Sequence, residues 1–371
     1  MVSTPSSMWP SLPPEILEEI AMRLESRTDI LHLRAVCTAW RASIPLPSKN
    51  PHNLSFSIAS NNWAISGHFL VRERTVYCIQ PLKKISSFFT NNNNNNNWLV
   101  NIEERDFGKV RATAPFSLCK IIPNWDKFSM IGGLSKKVIN LLDYKVREVG
   151  KSYYLLFNLD FFKNVVVGRC NNEDGFWVMF IHFGKLRFWK MGDEKWTQVD
   201  DGSGQSNYVH IALHNGTIYA VDYTGLTIAV DPLSLEVTQV ASHPYLGFHK
   251  YLVNSLGDLF LIDKVEDSSG GGEPCLKVYK LDEKRGEWIP VNSLGDQVIL
   301  LMGSGCCCSV SAKDFGGLRR NCVYFGDHYF RDVQNDFPRW PVGFFDFEYN
   351  VVQPLKSVDI KIFLPKPAWL S

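Results

Sequence analysis

Asn215-Gly216-Thr217-Ile218-Tyr219-Ala220-Val221-Asp222 lines up with Leu256-Gly257-Asp258-Leu259-Phe260-Leu261-Ile262-Asp263, and Phe183-Gly184-Lys185-Leu186-Arg187-Phe188 is a shorter version of both. Each reads as a glycine turn feeding an apolar strand. A second marker, an apolar residue and an acid opening a turn between strands, recurs as Leu142-Asp143, Met191-Gly192-Asp193, Val230-Asp231, Leu281-Asp282 and Phe345-Asp346. The intervals between these acids run from 38 to 64 residues. A repeat of roughly 40 to 50 residues is the length of one four-stranded unit in a radial array.

From Asn53 onward, short runs rich in Val, Ile, Phe, Tyr and Trp are broken every ~8 to 12 residues by Gly, Asn, Asp or Pro, which is an all-β texture. Strands are predicted at 137–142, 164–168, 176–183, 208–213, 217–222, 258–263 and 276–281. Five markers give five blades, and the stretch before residue 130 has room for one or two more. The expectation is a six- or seven-bladed β-propeller over residues 50–371. Trp196 and Trp288 fit outer strands whose rings cover the gaps between blades, and Val358 to Phe363 is available to close the ring, removing exposed sheet edges. Pro365 and Pro367 stop that strand, leaving Trp369 to pack across a blade junction. Asn91 to Asn97 reads as a disordered loop tip, and the Ser268-Ser269-Gly270-Gly271-Gly272 region (267–273) as a flexible insertion.

Residues 8–46 have a different texture, and this makes the chain mostly β with a small α N-terminal module. Pro14 opens a helix, since its missing N–H would be unpaired there anyway. Glu15, Glu18 and Glu19 suit the positive end of the helix dipole, while Ile16, Leu17, Ile20 and Leu24 make an apolar face. Thr28-Asp29 can cap a second helix, with Ile30, Leu33 and Cys37 on one side and Leu31 and Ala35 on the other; Trp40 sits in a short third turn. Three helices this short carry more apolar surface than they can bury in themselves. Burying Trp9, Leu12, Pro13, Ile16 and Trp40 on a partner would yield on the order of 10 kcal/mol gross, against ~4 to 15 kcal/mol lost on association.

The order Leu12-Pro13-Pro14-Glu15-Ile16, the run Leu31-His32-Leu33-Arg34-Ala35-Val36-Cys37 and the Trp40-Arg41 ending resemble the F-box, the docking module of cullin-based ubiquitin ligases. The resemblance implies that this segment binds the Skp adaptor, with Leu12, Pro13, Ile16, Leu17, Val36, Cys37 and Trp40 as the matching positions. An F-box followed by this repeat resembles a plant F-box family whose C-terminal domain is kelch-like, although a regular Gly-Gly doublet is missing.

Other chemistry finds little footing in the sequence. With 45% hydrophobic and 21% charged residues and a net charge of +1, the chain is ordinary for a globular protein and lacks the basic stripe of a nucleic-acid binder. No basic region precedes a continuous apolar run, and no stretch reaches ~18 apolar residues, so a cytoplasmic or nuclear protein with no membrane partner is expected. Nine cysteines without a Cys-x-x-Cys argue against a disulfide framework or zinc site, and Cys306-Cys307-Cys308 reads as small apolar strand packing. His210 and His214 share one face of a strand and read as core or surface residues. Asp143, Asp231 and Asp282 recur at equivalent turns, as structural capping requires and a single catalytic site does not. No catalytic residues, metal or cofactor are assigned.

Recognition remains. Aromatics lie beside basic groups in 243–249 and 327–341, giving Tyr245, Phe248, His249, Tyr329, Arg331 and Trp340 as a candidate target-binding rim. The function expected is a substrate-receptor subunit of an SCF-type ligase, reaching cullin through Skp and holding an unknown target protein. One rival is a propeller enzyme or carbohydrate binder, which predicts acids or a metal converging on the ring axis. Another is a Skp-binding scaffold with no role in degradation.

Overall fold

The computed structural model describes residues 12–22, 27–44, 53–58, 66–82, 97–106, 109–113, 115–116, 144–157, 160–170, 175–202, 204–242, 247, 249–265, 275–302, 305–315, 317–326, 342–355 and 362–363. The chain divides into two compact units, 1–53 and 54–371.

The first unit contains α1 (Pro14–Met22), α2 (Arg27–Ala35) and α3 (Thr38–Ser43). The Pro13 carbonyl accepts the amides of Ile16 and Leu17 at 3.1 and 3.2 Å. The second helix begins at Arg27, so Thr28 and Asp29 lie in its first turn rather than capping it, where the Asp29 charge still suits the dipole. Cys37 caps α3, its extended backbone letting Sγ accept the Trp40 amide at 3.4 Å. Leu17, Ala21, Trp40 and Ile44 form the core, with Leu12, Ile30, Leu33 and Cys37 against them. The predicted apolar face of α1 is split: Leu17 is buried, whereas Ile16 and Ile20 are exposed. Three short helices enclose too narrow a core to take the whole stripe.

In the second unit, β1 (Asn53–Ile58), β2 (Gly67–Pro81), β3 (Trp98–Asp106), β4 (Lys109–Thr113), β5 (Tyr144–Phe157), β6 (Asp160–Arg169), β7 (Phe176–His182), β8 (Lys185–Lys190) and β9 (Thr197–Gln198) share one nine-stranded sheet, ordered β4-β3-β2-β5-β6-β7-β8-β9 with β1 also on β2. Two four-stranded sheets follow: β10 (Tyr208–His214), β11 (Thr217–Asp222), β12 (Thr227–Val230) and β13 (Val237–Ala241), then β14 (His249–Ser255), β15 (Asp258–Val265), β16 (Cys275–Asp282) and β17 (Glu287–Val291). The last holds β18 (Gln297–Met302), β19 (Cys306–Ser311), β20 (Cys322–Gly326), β21 (Val342–Asp346) and β22 (Val351–Pro354), ordered β19-β18-β20-β21-β22, with β18 and β20 parallel.

The inner strands β6, β10, β14, β19 and β5 touch in succession, and β5 pairs with β6, so the sheets close into a propeller. Among the described residues this ring has five inner strands on four sheets, where the repeat spacing predicts six or seven separate blades. The reason is that inner strand β5 pairs with inner strand β6, from Tyr153 opposite Val165 to Phe157 opposite Asp160, which joins the groups β4-β3-β2-β5 and β6-β7-β8-β9 into one sheet. The predicted strands from 176 through 281 are found within a residue or two of their expected limits and 164–168 lies inside the longer β6, which starts four residues earlier, whereas 137–142 and Asp143 lie outside the described residues. So do 91–96, 267–273, Trp369 and most of the predicted closing strand; of that strand Ile362 and Phe363 are described, as a turn buried against Phe116 and Tyr324. Asn97, the last residue of the asparagine tract, departs from the expected loop tip: it is buried where it leads into β3.

The paired turns behave as the repeat implies. Asn215-Gly216, Leu256-Gly257 and Phe183-Gly184 all have both residues at positive φ, between 48° and 83°, the two-residue hairpin geometry that matches strand twist. Their alignment is shifted in one case. Phe183-Gly184 joins β7 to β8, one hairpin further out than the turns joining β10 to β11 and β14 to β15. Every tight hairpin needs the same twist, so turn chemistry repeats wherever strands reverse and does not report strand position.

The acids cap their turns. Asp231 Oδ1 accepts the amides of Leu233 and Ser234, both at 2.8 Å, and Asp282 Oδ1 those of Lys284 and Arg285 at 3.1 and 3.2 Å. Asp193 and Asp346 do likewise for Lys190 and Glu348. Trp288 on β17 covers the junction with the preceding blade, where its Nε1 donates to Thr227 Oγ1 of β12 at 3.2 Å and its ring packs with Tyr219 and Val221. Trp196 fills the corresponding place against Phe56, Phe69 and Phe180.

Trp288→Ala is expected to cost about 3 to 5 kcal/mol in urea unfolding, because it empties a junction rather than a surface. Leu256→Asn is expected to raise the free energy of urea unfolding by up to ~1 kcal/mol, because asparagine tolerates the left-handed backbone that leucine holds under strain; an unchanged midpoint would show no strain at that turn.

Candidate functional site

Within the helical unit, the seven positions implied by the F-box resemblance fall into two groups. Leu12, Leu17, Cys37 and Trp40 belong to the unit's own core or pack on it. Pro13, Ile16 and Val36 are exposed, Ile16 at 44% and Val36 at 58%. Ile20, one helical turn beyond Ile16, is exposed at 37% and extends the same face. Its spacing from Ile16 was the available signal for it in the sequence. Large apolar side chains left on so small a unit constitute a surface ready to be covered.

Within the propeller, side chains cross between inner strands. Asn164 of β6, at φ 56°, donates to the Val209 carbonyl at 3.0 Å, and Asn254 of β14 donates to the Leu213 carbonyl at 2.8 Å. Ser255 of β14 donates to Ser309 of β19 at 2.8 Å. His210 of β10 accepts the Leu252 amide on Nδ1 at 3.2 Å, and its Nε2 lies 3.8 Å from Cys307 Sγ of β19. Tyr251 packs edge-on to the same ring. Burial pulls His210 down to about 4 and pushes the Cys307 and Tyr251 groups up, so all three are neutral near pH 7. The inner strands are thus packed together by neutral side chains at this level. Among the described residues no group of three or more His, Cys, Asp or Glu could hold a metal ion.

Cys306 and Cys308 face away from His210 into the seam with β5, where a Cβ added to Gly150 would stand 2.9 Å from the Cys308 Cβ. Only small residues fit there, as the sequence reading of the cysteine triplet expects.

Of the candidate rim, Tyr245, Phe248, Tyr329, Arg331 and Trp340 lie outside the described residues, and His249 is the exposed first residue of β14. Strand direction relates the described ends of β14 and β20 to each other. β14 and β19 run the same way, since Tyr251 and Cys307 meet at His210 while Ser255 meets Ser309. β20 runs opposite to β19, being parallel to β18, which is antiparallel to β19. The last residue of β20, Gly326, therefore lies at the same end of the ring as His249, the first of β14. Two aromatics that sequence reasoning missed share that end: Tyr223, 38% exposed, in the turn after β11, and Phe183, 90% exposed, whose neighbour Gly184 accepts the amide of Tyr208 at the start of β10. An apolar residue at a turn carries no sequence mark of exposure.

His210 makes stability sensitive to acid. The unfolded chain takes up its proton near pH 6.5, and the native state only near pH 4. Stability from this group is full above about pH 6.5 and falls as pH drops from there toward 4, by about 3 kcal/mol in all. His210→Gln, which keeps an acceptor for the Leu252 amide, is expected to flatten that part of the curve in urea titrations at pH 7.5 and 4.5; an unchanged slope would show that His210 is not the group responsible.

Known proteins match both parts of the chain. An F-box-like family model covers residues 9–46, and the KIB1-4 beta-propeller model covers 41–348. The F-box protein SKIP23 of Arabidopsis thaliana is 27% identical, spanning 98% of this chain and 95% of its own length. A second F-box protein of the same plant is 26% identical over 98% of this chain and 95% of its own, and an F-box/kelch-repeat protein is 26% identical over 85% and 84%. A short helical unit with an F-box order, joined to a closed ring of β-sheets, thus places the chain among the plant F-box proteins whose C-terminal domain is a KIB1-4 β-propeller.

Proposed function

We propose that this protein is the substrate-receptor subunit of an SCF-type cullin ubiquitin ligase. The observation that carries the reading is the exposed apolar face of the helical unit: Pro13, Ile16, Ile20 and Val36 touch the Skp adaptor, while Leu12, Leu17, Cys37 and Trp40 hold the helices that present them. Covering Ile16, Ile20 and Val36 yields on the order of 5 kcal/mol gross, at ~1.5 to 3 kcal/mol per fully buried side chain and with partial burial already spent. That is near the lower limit of the ~4 to 15 kcal/mol lost on association. The whole face must therefore engage at once, and polar contacts at its edge must add to it.

The propeller recruits a target protein at the end of the ring where β14 starts and β20 ends, which also carries Phe183 and Tyr223. The chain does no bond chemistry. Tethering raises the concentration of target lysines near the charged transfer enzyme, which is enough to direct ubiquitin to them.

Co-purification of the full chain with Skp and cullin tests the reading. Ile16→Asp with Val36→Asp is expected to abolish Skp recovery while leaving the circular dichroism and thermal transition of the chain intact. Leu17→Ala is expected to lose Skp together with helical structure, since removing a core leucine costs ~2 to 5 kcal/mol, more than so small a unit can spare. Failure of the wild-type chain to bring down Skp would overturn the receptor reading, and full Skp binding by the double Asp variant would overturn the assigned face.

A further inference from the structure

Gly247, just ahead of β14, lies where no side chain fits: a Cβ added to it would stand 1.8 Å from the Lys264 carbonyl oxygen and 2.8 Å from Asp263 Oδ1. Its backbone is pressed against β15. Lys250, opposite Asp263 in the β14–β15 ladder, donates to Asp263 Oδ1 at 3.1 Å and also to the Gly247 carbonyl. The Gly247 amide bonds the same carboxylate. Both backbone polar groups of this residue are thus held by one ion pair, whose side chains are fully buried.

Stability does not account for that pair. Charges taken out of water make up for lost hydration only where every oxygen and proton is met, and Asp263 Oδ2 has no partner. Burial holds the Asp263 carboxyl above its ordinary value even with Lys250 and Lys277 pulling it down, so its ionised form works against folding near neutral pH. Apolar residues of the same volume would join β14 to β15 without that cost, but they could neither donate to a carbonyl nor accept an amide. Those two bonds are what the charges supply, and both go to Gly247. We propose that Lys250 and Asp263 are positioning residues, a latch that holds the Gly247 backbone on β15 and so fixes where the chain enters β14. The exposed His249 is carried between the two latched residues, Gly247 and Lys250, at the end of the ring where β20 ends. That this end receives a target rests on the receptor reading above; the latch does not.

The test replaces the latch, in the full-length and isotopically labelled chain, by an apolar pair, Lys250→Met with Asp263→Leu. Two readouts should part. The urea midpoint is expected to hold or rise, whereas the NMR order parameter of the Gly247 amide falls from about 0.85, as for a rigid backbone, to below about 0.6, with the Leu252 and Leu261 amides unchanged. A pair that only strengthened the fold would lower the midpoint and leave the order of Gly247 alone. A midpoint that falls, failure to fold included, or a Gly247 amide that stays ordered would therefore overturn the latch. The wild-type chain gives a second measurement, since a Gly247 amide less ordered than that of Leu252 would overturn it without any substitution. Loss of Skp recovery in the co-purification would sink the receptor reading and leave these order parameters unchanged, and a disordered Gly247 amide in the wild type would sink the latch and leave Skp recovery unchanged.

Discussion

The inner strands β10, β14 and β19 each have a neighbour in their own sheet on one side only, so the other edge presents backbone groups that neither water nor a further strand can fully satisfy. In this protein the adjacent blade meets that need with side chains. Asn164 and Asn254 donate to carbonyls of β10, and His210 accepts an amide of β14. Each bond crosses between inner strands, so each fixes the register of one sheet against the next as well as satisfying a buried group. Where no polar bridge serves, residue size does: Gly150 lets β5 approach the sulfurs of Cys306 and Cys308.

Buried charge follows the same logic less economically. Lys250 and Asp263 form a pair at 3.1 Å with both side chains fully buried, and Lys250 also donates to the Gly247 carbonyl. Burial pushes the Asp263 carboxyl up while Lys250 pulls it back, and its second oxygen has no partner. Such a pair adds little stability over an apolar replacement, yet losing one member would strand the other, so it fixes the geometry of β14 and β15 more than it strengthens them. Arg72, Arg74, Glu103 and Tyr154 do the same between β2, β3 and β5.

The helical unit faces the opposite problem. It has too little interior for its apolar residues, and the division between Leu17 and Trp40 inside and Ile16, Ile20 and Val36 outside follows from geometry. Helical periodicity marks a stripe but not which edge of it meets the core. That depends on where α3 crosses, and the crossing is set by the Trp40 ring and the Cys37 cap.

Local chemistry was legible in the chain. Glycine turns, aspartates that cap them and tryptophans over blade junctions each obey rules that act over a few residues, so their places and roles could be read before any coordinates. The order Leu12-Pro13-Pro14-Glu15-Ile16 with Trp40-Arg41 identified the N-terminal module in the same way. What only the tertiary structure decided joins residues far apart. The fusion of β1 to β9 into one sheet, the one-strand shift of the Phe183 turn, the crossing of Asn164 to Val209 and the pairing of Arg72 and Arg74 with Glu103 all depend on which strands become neighbours. Sequence fixes the hydrogen-bonding capacity of each residue. Closure of the ring decides which partners come within reach, because that is a matter of distance between strands and leaves no local mark.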